Sequence, residues 1–286
     1  MKGIKRIVAI AVLMCAVLSF VLSGVASAEI KFGILPRLSA MELNTMYTPL
    51  AEYLSKEVGE KVTLVIPKDF DAYKTMVANG QVDMGFSNSV VYIQLKKDMN
   101  IDTLAVSAEK KAGTRFRGIM IARKDSGIEK VQDLKGKKLI FVEKDSAAGY
   151  TFQMLLLTKA GMDVNKDFTM LPFAKKHDNV TMAVFNKAAD AGGIREDDLD
   201  KMKDKVDLSQ IKIVAYTDYF PNWPVYSTPK LNKATAAKIK DALLKLKPGD
   251  PAAEKILEAA KLSGFAPITD KDYDLLRQAA KVVGAF

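Results

Sequence analysis

Cysteine, histidine and tryptophan each occur once in the 286 residues of this chain. The cysteine, Cys15, falls in an N-terminal segment that reads as a removable leader. The remainder therefore has no disulfide, no thiol nucleophile and no thiolate metal site. A lone histidine, His177, excludes a multi-histidine zinc site, and no convincing Ser/His/Asp set surrounds it. The thirteen methionines show no Met-x-x-Met clustering of the kind that suggests copper, and read as core filler. There is no basic stripe with interleaved aromatics, which argues against nucleic acid as a partner. Beyond the leader, no stretch is apolar enough to span a bilayer. These absences argue against an exported hydrolase and imply no cofactor and no metal.

The leader has the parts of a secretory signal peptide. Lys2, Lys5 and Arg6 form a positive n-region, Ile7 to Leu22 is apolar, and Ala26-Ser27-Ala28 offers small residues for cleavage before Glu29. Bulky Met14 before Cys15, with more apolar chain after it, does not fit a lipoprotein site. Removal of residues 1–28 takes three basic residues and lowers the formal charge from +9 to +6. The remaining positives are spread along the chain and mixed with acids, as in Glu109-Lys110-Lys111 and Asp200 to Lys205, which read as solvated faces. The mild positive field that remains favours capture of a small anion. About 258 residues are enough to bury a core in one large domain or two ordinary ones.

Strand-like and helix-like segments alternate, which predicts an α/β fold with a largely parallel sheet. Ile30 to Leu35 alternates as a strand. Leu43, Met46, Tyr47, Leu50 and Leu54 then fall at helical spacing, and Pro49 fits that helix near its first turn or at a kink. Two strand-to-helix turns stand out. Gly85-Phe86-Ser87-Asn88-Ser89 follows the strand 82–86, and Lys144-Asp145-Ser146-Ala147-Ala148-Gly149-Tyr150 follows the strand 138–142. Small hydroxyl, amide and glycine residues at such turns leave backbone N–H groups free, and the helix dipole adds positive charge there. One such turn is an ordinary N-cap in many helices that bind nothing. Two of them suggest two lobes gripping one small solute. A weak internal echo fits two lobes of similar build: Val77 to Gly85 overlays Val184 to Gly192, with Val, Asn, Asp and Gly at matching positions.

Five segments in order resemble the periplasmic solute-binding proteins for phosphate, phosphite and phosphonate, of the phosphonate-binding type, that serve ABC importers. They are Pro49 to Leu54; Ala72-Tyr73 through Asn79-Gly80-Gln81-Val82-Asp83-Met84-Gly85-Phe86; Ile121 to Ile128; Asp133 to Lys137; and Asp145 to Tyr150. The resemblance implies an α/β, two-lobed periplasmic binding protein of type II whose chain crosses twice between lobes that close on ligand. Lobe one would be residues 29–118 plus 220–286, and lobe two 119–219. The crossings would lie near Phe116-Arg117-Gly118 and Tyr216-Thr217-Asp218-Tyr219.

The resemblance also implies where ligand sits. The family's Ser-Thr-Ser-Gly anion turn reads Ser146-Ala147-Ala148-Gly149 here, followed by Tyr150. The hydroxyl donors at 147 and 148 are missing and the backbone donors are kept. Asn88-Ser89 stands where the family often has Gly-Pro. Tyr73 and Tyr92 match tyrosines that line the family's pocket, and His177 falls at a ligand-contacting histidine. Ile194-Arg195-Glu196 replaces the acid that often follows the lobe-two strand. Arginine is suited to paired hydrogen bonds with an oxyanion or carboxylate, unless Arg195 simply pairs with Glu196 or Asp197. Arg37 is a similar, weaker candidate, and Trp223 either packs on ligand or seals the hinge. The candidate ligand-binding set is Tyr73, Ser87, Asn88, Ser89, Tyr92, Ser146, Ala147, Ala148, Gly149, Tyr150, His177 and Arg195. The expected partners are a small anionic ligand and an ABC transporter permease. A membrane kinase or cyclase would replace the permease if the protein is a sensor. A monomer is the default for a diffusing carrier.

Overall fold

The computed structural model describes residues 29–286 except Lys111. Its six-stranded sheet has the order β13-β4-β12-β3-β1-β2, and its five-stranded sheet the order β10-β6-β9-β7-β8. The first is formed by β1 (Ile30–Ile34), β2 (Val62–Val65), β3 (Met84–Phe86), β4 (Asp102–Ala108), β12 (Pro224–Ser227) and β13 (Gly264–Ala266). The second is formed by β6 (Gly118–Arg123), β7 (Lys138–Ile140), β8 (Thr169–Met170), β9 (Ala191–Arg195) and β10 (Ile211–Tyr216). Between them the chain passes twice, and the two passages pair as a short antiparallel ribbon, β5 (Arg115–Phe116) with β11 (Phe220–Pro221). This is the two-lobed arrangement of the type II binding-protein fold.

The sheets are mixed, which corrects the expectation of a largely parallel sheet. β1 runs parallel to β2 and β3, but β12 pairs antiparallel with β3 and β4. In the second sheet β7 runs parallel to β8 and β9, while β6 pairs antiparallel with β9 and β10. Of the antiparallel members, β6 and β12 lie next to the crossings, where the chain enters a sheet from the ribbon rather than from a helix, and β13 pairs antiparallel with β4 at the edge of the first sheet.

Helices cover these sheets: α1 (Ala40–Val58), α2 (Phe70–Ala78), α3 (Ser89–Asp98), α4 (Phe152–Lys159), α5 (His177–Phe185), the single turn α6 (Glu196–Leu199), α7 (Lys233–Lys245), α8 (Pro251–Ala260) and α9 (Asp274–Val282). α1 begins with a capping box: the Ser39 hydroxyl accepts from Glu42 N–H and the Glu42 carboxylate from Ser39 N–H. The helically spaced Leu43, Met46, Tyr47, Leu50 and Leu54 are all buried. Pro49 lies in mid-helix, so the helix forgoes one backbone bond there. α4 is entered through a π-turn, Ala147–Thr151, so the helical chain begins five residues before the regular α-helix.

The echo between Val77–Gly85 and Val184–Gly192 has a structural counterpart. The Asp83 carboxylate accepts from Lys31 N–H at 2.8 Å, and the Asp190 carboxylate accepts from Lys138 N–H at 2.7 Å. In both copies the same aspartate's own N–H donates back to that lysine's carbonyl at 2.9 Å. Each aspartate thus clamps the strand before the central pair of its sheet. Asn79 and Asn186 close the preceding helices, and the residues after them, Gly80 and Lys187, both take left-handed backbone angles.

Gly85 is needed for close approach. A Cβ there would lie 2.5 Å from the Tyr226 hydroxyl and 2.6 Å from the Tyr73 hydroxyl. Those hydroxyls bond each other at 2.7 Å beneath the strand. Gly85→Ala is expected to lower stability by about 1–3 kcal/mol through overpacking. Thermal unfolding reads this directly, and an unchanged midpoint would contradict the close packing.

Candidate functional site

Elements from both sheets meet around a small closed cavity. From the first sheet's side come Phe70 at the start of α2 and Asn88 before α3. From the second come Ser146, Ala147 and Ala148 at the π-turn, His177 at the start of α5 and Arg195 at the end of β9. Phe116 and Trp223 close it from the crossing ribbon and its continuation. The cavity measures about 10 Å³, about enough for one water molecule. This is a closed arrangement, held by contacts that run from one side to the other. Asn88 Nδ2 donates to the Asp145 carbonyl at 3.1 Å, and Gln94 Nε2 donates to the Asp145 carboxylate at 2.9 Å. Lys74 pairs with the same carboxylate. Lys176 Nζ donates to the Leu38 carbonyl at 2.9 Å.

Two buried guanidiniums dominate the electrostatics. Arg37, in the loop after β1, is 5 % exposed and pairs with Asp198 on α6. Arg195 is 3 % exposed and pairs with Glu109, just beyond β4. Its Nη2 also donates to Asn222 Oδ1 at 3.2 Å, and its guanidinium lies 4.5 Å from the Phe116 ring centre. Asp197 Oδ2 is 3.5 Å from Arg195 Nε, too far for a good hydrogen bond. Glu196 turns away to make a two-pronged pair with Arg117. Burial alone would raise the Asp198 carboxyl, but Arg37 and then Lys201, 2.5 Å away, hold it well below the usual carboxylate range.

His177 is built in as a neutral acceptor. Its Nδ1 accepts the Arg195 backbone N–H at 3.0 Å, so its proton resides on Nε2. Burial pushes its pKa down to about 4; Asp198 opposes this, while Arg37 and Lys201 reinforce it.

The cavity wall contains six of the candidate residues: Asn88, Ser146, Ala147, Ala148, His177 and Arg195. The other six lie off it. Tyr73 bonds the Tyr226 hydroxyl, and Tyr92 donates to Asp270 at 2.7 Å with its ring against Tyr273. Both tyrosines are fully buried in the core, which corrects the expectation that they line the pocket. Tyr150 packs edge-on against Phe141 and Phe173. Gly149 gives its N–H to Ser146 Oγ, and Ser87 Oγ bonds the Asn88 carbonyl. Ser89 directly follows the wall residue Asn88 and has a buried hydroxyl without a partner.

The two turns also differ as donors. Asn88 Oδ1 already accepts from both Val90 and Val91 N–H, so the α3 turn has largely satisfied itself. The π-turn keeps the N–H groups of Ala147 and Ala148, which have no helical acceptor because they begin the helix. Residue-pattern reasoning missed Phe70, Phe116, Asn222, Asp198 and Glu109. Glu109 was hidden in a charge run that reads as surface, yet it is 7 % exposed.

The state of His177 makes a pH prediction. An unfolded histidine titrates near 6.5 and the folded one near 4, so between those values only the unfolded chain binds the proton. Stability is expected to fall as pH drops from about 6.5 toward 4, by about 3 kcal/mol in all from this group. His177→Asn keeps an acceptor for the Arg195 N–H and cannot titrate. Denaturant melts at pH 6.5 and 4.5 should show a smaller loss in the variant, whereas parallel curves would mean that His177 is not held neutral.

Comparison with known proteins agrees with this architecture. The family model for the periplasmic substrate-binding protein of phosphonate ABC transporters matches residues 32–273. The phosphate-import protein PhnD of Mycolicibacterium smegmatis is 27% identical over 275 residues, covering 88% of this chain and 84% of the relative. The tetrathionate sensor histidine kinase TtrS of Salmonella typhimurium is 23% identical; the match covers 85% of this chain but 43% of the kinase. Among solved structures, PhnD1 from Prochlorococcus marinus in complex with methylphosphonate superposes with a TM-score of 0.82 at 16% identity, over 90% of this chain and 99% of that one. With residues 32–273 of the 286 matched, this protein belongs to the family of periplasmic substrate-binding proteins of phosphonate ABC transporters.

Proposed function

We propose that this chain, released into the periplasm after loss of residues 1–28, captures a small phosphorus oxyanion between its lobes. It then delivers the ligand as a monomer to an ABC permease. The observation that carries the ligand class is the set of buried donors left without acceptors around one cavity. Arg195 Nε and Trp223 Nε1 belong to wall residues, and Asn222 Nδ2 belongs to the residue that Arg195 bonds. The N–H groups of Ala147 and Ala148 add to them. Buried donors without partners are costly, and an oxyanion supplies acceptors in several directions at once. Arg195, although paired with Glu109, still offers its Nε–H, and the other oxygens meet neutral donors, including His177 Nε2–H. Nothing in this set requires covalent chemistry.

The cavity of about 10 Å³ does not hold such an anion in the closed form described here. Loading therefore involves parting of the lobes, and the liganded form closes less tightly than this one, around an anion whose contacts bridge both sides. Sensing is the less favoured reading, because the match to the sensor kinase is weaker and spans less than half of that protein.

The test is titration of residues 29–286 with methylphosphonate, phosphite, phosphate and small carboxylates. Trp223, the sole tryptophan, provides a fluorescence signal from the cavity wall. At least one phosphorus oxyanion should bind and raise the thermal midpoint. Arg195→Ala should weaken it by roughly 10–100-fold, the value of one charge-assisted hydrogen bond. Binding of none of the phosphorus oxyanions to protein that has been unfolded and refolded to strip carried-over ligand would overturn the reading.

A further inference from the structure

Helix α4 carries one polar side chain in the core. Gln153 is fully buried, between Phe152 and Met154 and one turn before Leu157, which are buried too. Its Nε2 donates to the Ala148 carbonyl at 2.8 Å and to the Ile119 carbonyl at 3.2 Å. Two carbonyls around one end of the amide fix that end as the nitrogen. The other end, Oε1, is buried without a partner. An unpaired buried oxygen is costly, and a methionine would fill the same space without one. What distinguishes glutamine from methionine here is the nitrogen.

Two glycines make room for this side chain. A Cβ on Gly118, at the start of β6, would lie 2.5 Å from the Ala148 oxygen and closer still to Gln153 Nε2. A Cβ on Gly193, in β9, would lie 2.5 Å from Gln153 Cγ. Neither glycine has a positive φ, so space rather than backbone freedom is what each supplies. Adjacent strands of the second sheet are thus both cut back around one buried amide.

That amide acts on the π-turn. The Ala148 carbonyl and the Gly149 N–H belong to one planar peptide. Gln153 holds its oxygen and Ser146 Oγ accepts its N–H at 3.2 Å, so the plane is pinned at both ends. The Ala147 carbonyl is held in turn by the Phe152 N–H. With these carbonyls directed back along the helix, the Ala147 and Ala148 N–H groups point forward out of its first turn. The Ile119 end of the bridge ties the turn to β6, whose first residue, Gly118, is bonded to Thr217 at the crossing. The turn therefore travels with the body of the second lobe when the cleft shuts.

We infer that Gln153 is a positioning residue of the anion site: its amide holds the π-turn against β6 so that the Ala147 and Ala148 N–H groups are aimed at the ligand before it arrives. The inference rests on the oxyanion reading and adds to it a side chain that is not on the cavity wall. With alanines at 147 and 148 the turn offers there no side-chain donor that could swing toward a ligand, so the direction of those backbone donors is set by the fold alone.

Gln153→Met keeps the length and the apolar stem and removes the donor. Calorimetric titration of residues 29–286 with methylphosphonate, phosphite and phosphate should show binding weakened by roughly 10–50-fold in this variant, the effect of misdirected donors rather than of a lost contact. Leu157→Ala, a cavity further along the same helix, should lower the thermal midpoint comparably and leave affinity within about 3-fold. The amide resonances of Ala147, Ala148 and Gly149 should move in Gln153→Met and stay in Leu157→Ala. An unchanged affinity in Gln153→Met, or equal weakening in both variants, would overturn the inference and leave the oxyanion site standing. Binding of none of the three anions by the unaltered protein would overturn the site reading and the inference with it. If Gln153→Met does not fold, as circular dichroism would show, the unaltered protein decides. The Gln153 side-chain amide protons should be protected from exchange and should shift when the anion binds, and signals indifferent to the anion would refute the inference.

Discussion

Two guanidiniums are buried where the lobes meet, and each is neutralised by a carboxylate from the opposite side. Removing such ions from water costs several kcal/mol each unless a partner is present. Arg37 and Asp198, and Arg195 and Glu109, find their partners only when the sides come together. In an open cleft all four groups regain water, so the pairs do not lock the molecule shut. They make closure nearly neutral and leave the ligand to tip the balance with the donors that the protein itself leaves unpaired. His177 is neutral chiefly because it is buried, and Arg37 and Lys201 nearby add to that against the opposing pull of Asp198.

The two sheets repeat one plan. Reading β2-β1-β3-β12-β4 against β8-β7-β9-β6-β10 gives the same order and the same parallel and antiparallel pairings. The same spacing that relates Asp83 to Asp190 relates Ser39 to Ser146 and Asn88 to Arg195. Ser39 and Ser146 both cap helices. Arg195 ends β9, whereas Asn88 lies two residues past the end of β3, and there the copies diverge. Asn88 folds back to cap a ten-residue helix, whereas Arg195 makes no side-chain cap and is followed by a single helical turn. An arginine whose side chain is not needed for local structure is free to serve the cleft.

Much of this was legible from residue order. Alternation gave the α/β class, the helical spacing of Leu43 to Leu54 gave α1, and the clustering of small polar residues pointed to the turns that meet at the cavity. The mixed sheets were not legible, because the pairing of β12 with β3 and β4 depends on the chain returning after more than a hundred residues. Tyr73 and Tyr92 look like cleft residues because a hydroxyl suits a wet edge. Here each hydroxyl finds a protein partner, Tyr73 at the buried Tyr226 and Tyr92 at the partly exposed Asp270, and neither needs the cleft. Glu109 escaped for the opposite reason: a carboxylate followed by two lysines reads as surface until a buried guanidinium from the other sheet is placed against it.

The ribbon of β5 and β11 has a mechanical consequence. The two passages between lobes are hydrogen-bonded to each other, with Phe116 opposite Phe220, and Thr217 fastens the next stretch to Gly118 through both its backbone and its hydroxyl. Two independent tethers would let one lobe slide or swivel against the other. A paired ribbon bends easily across its face and resists shear in its plane. The relative motion of the lobes is thereby reduced to essentially one coordinate, a hinge, and residues that start far apart on the two sides return to the same register each time the cleft shuts.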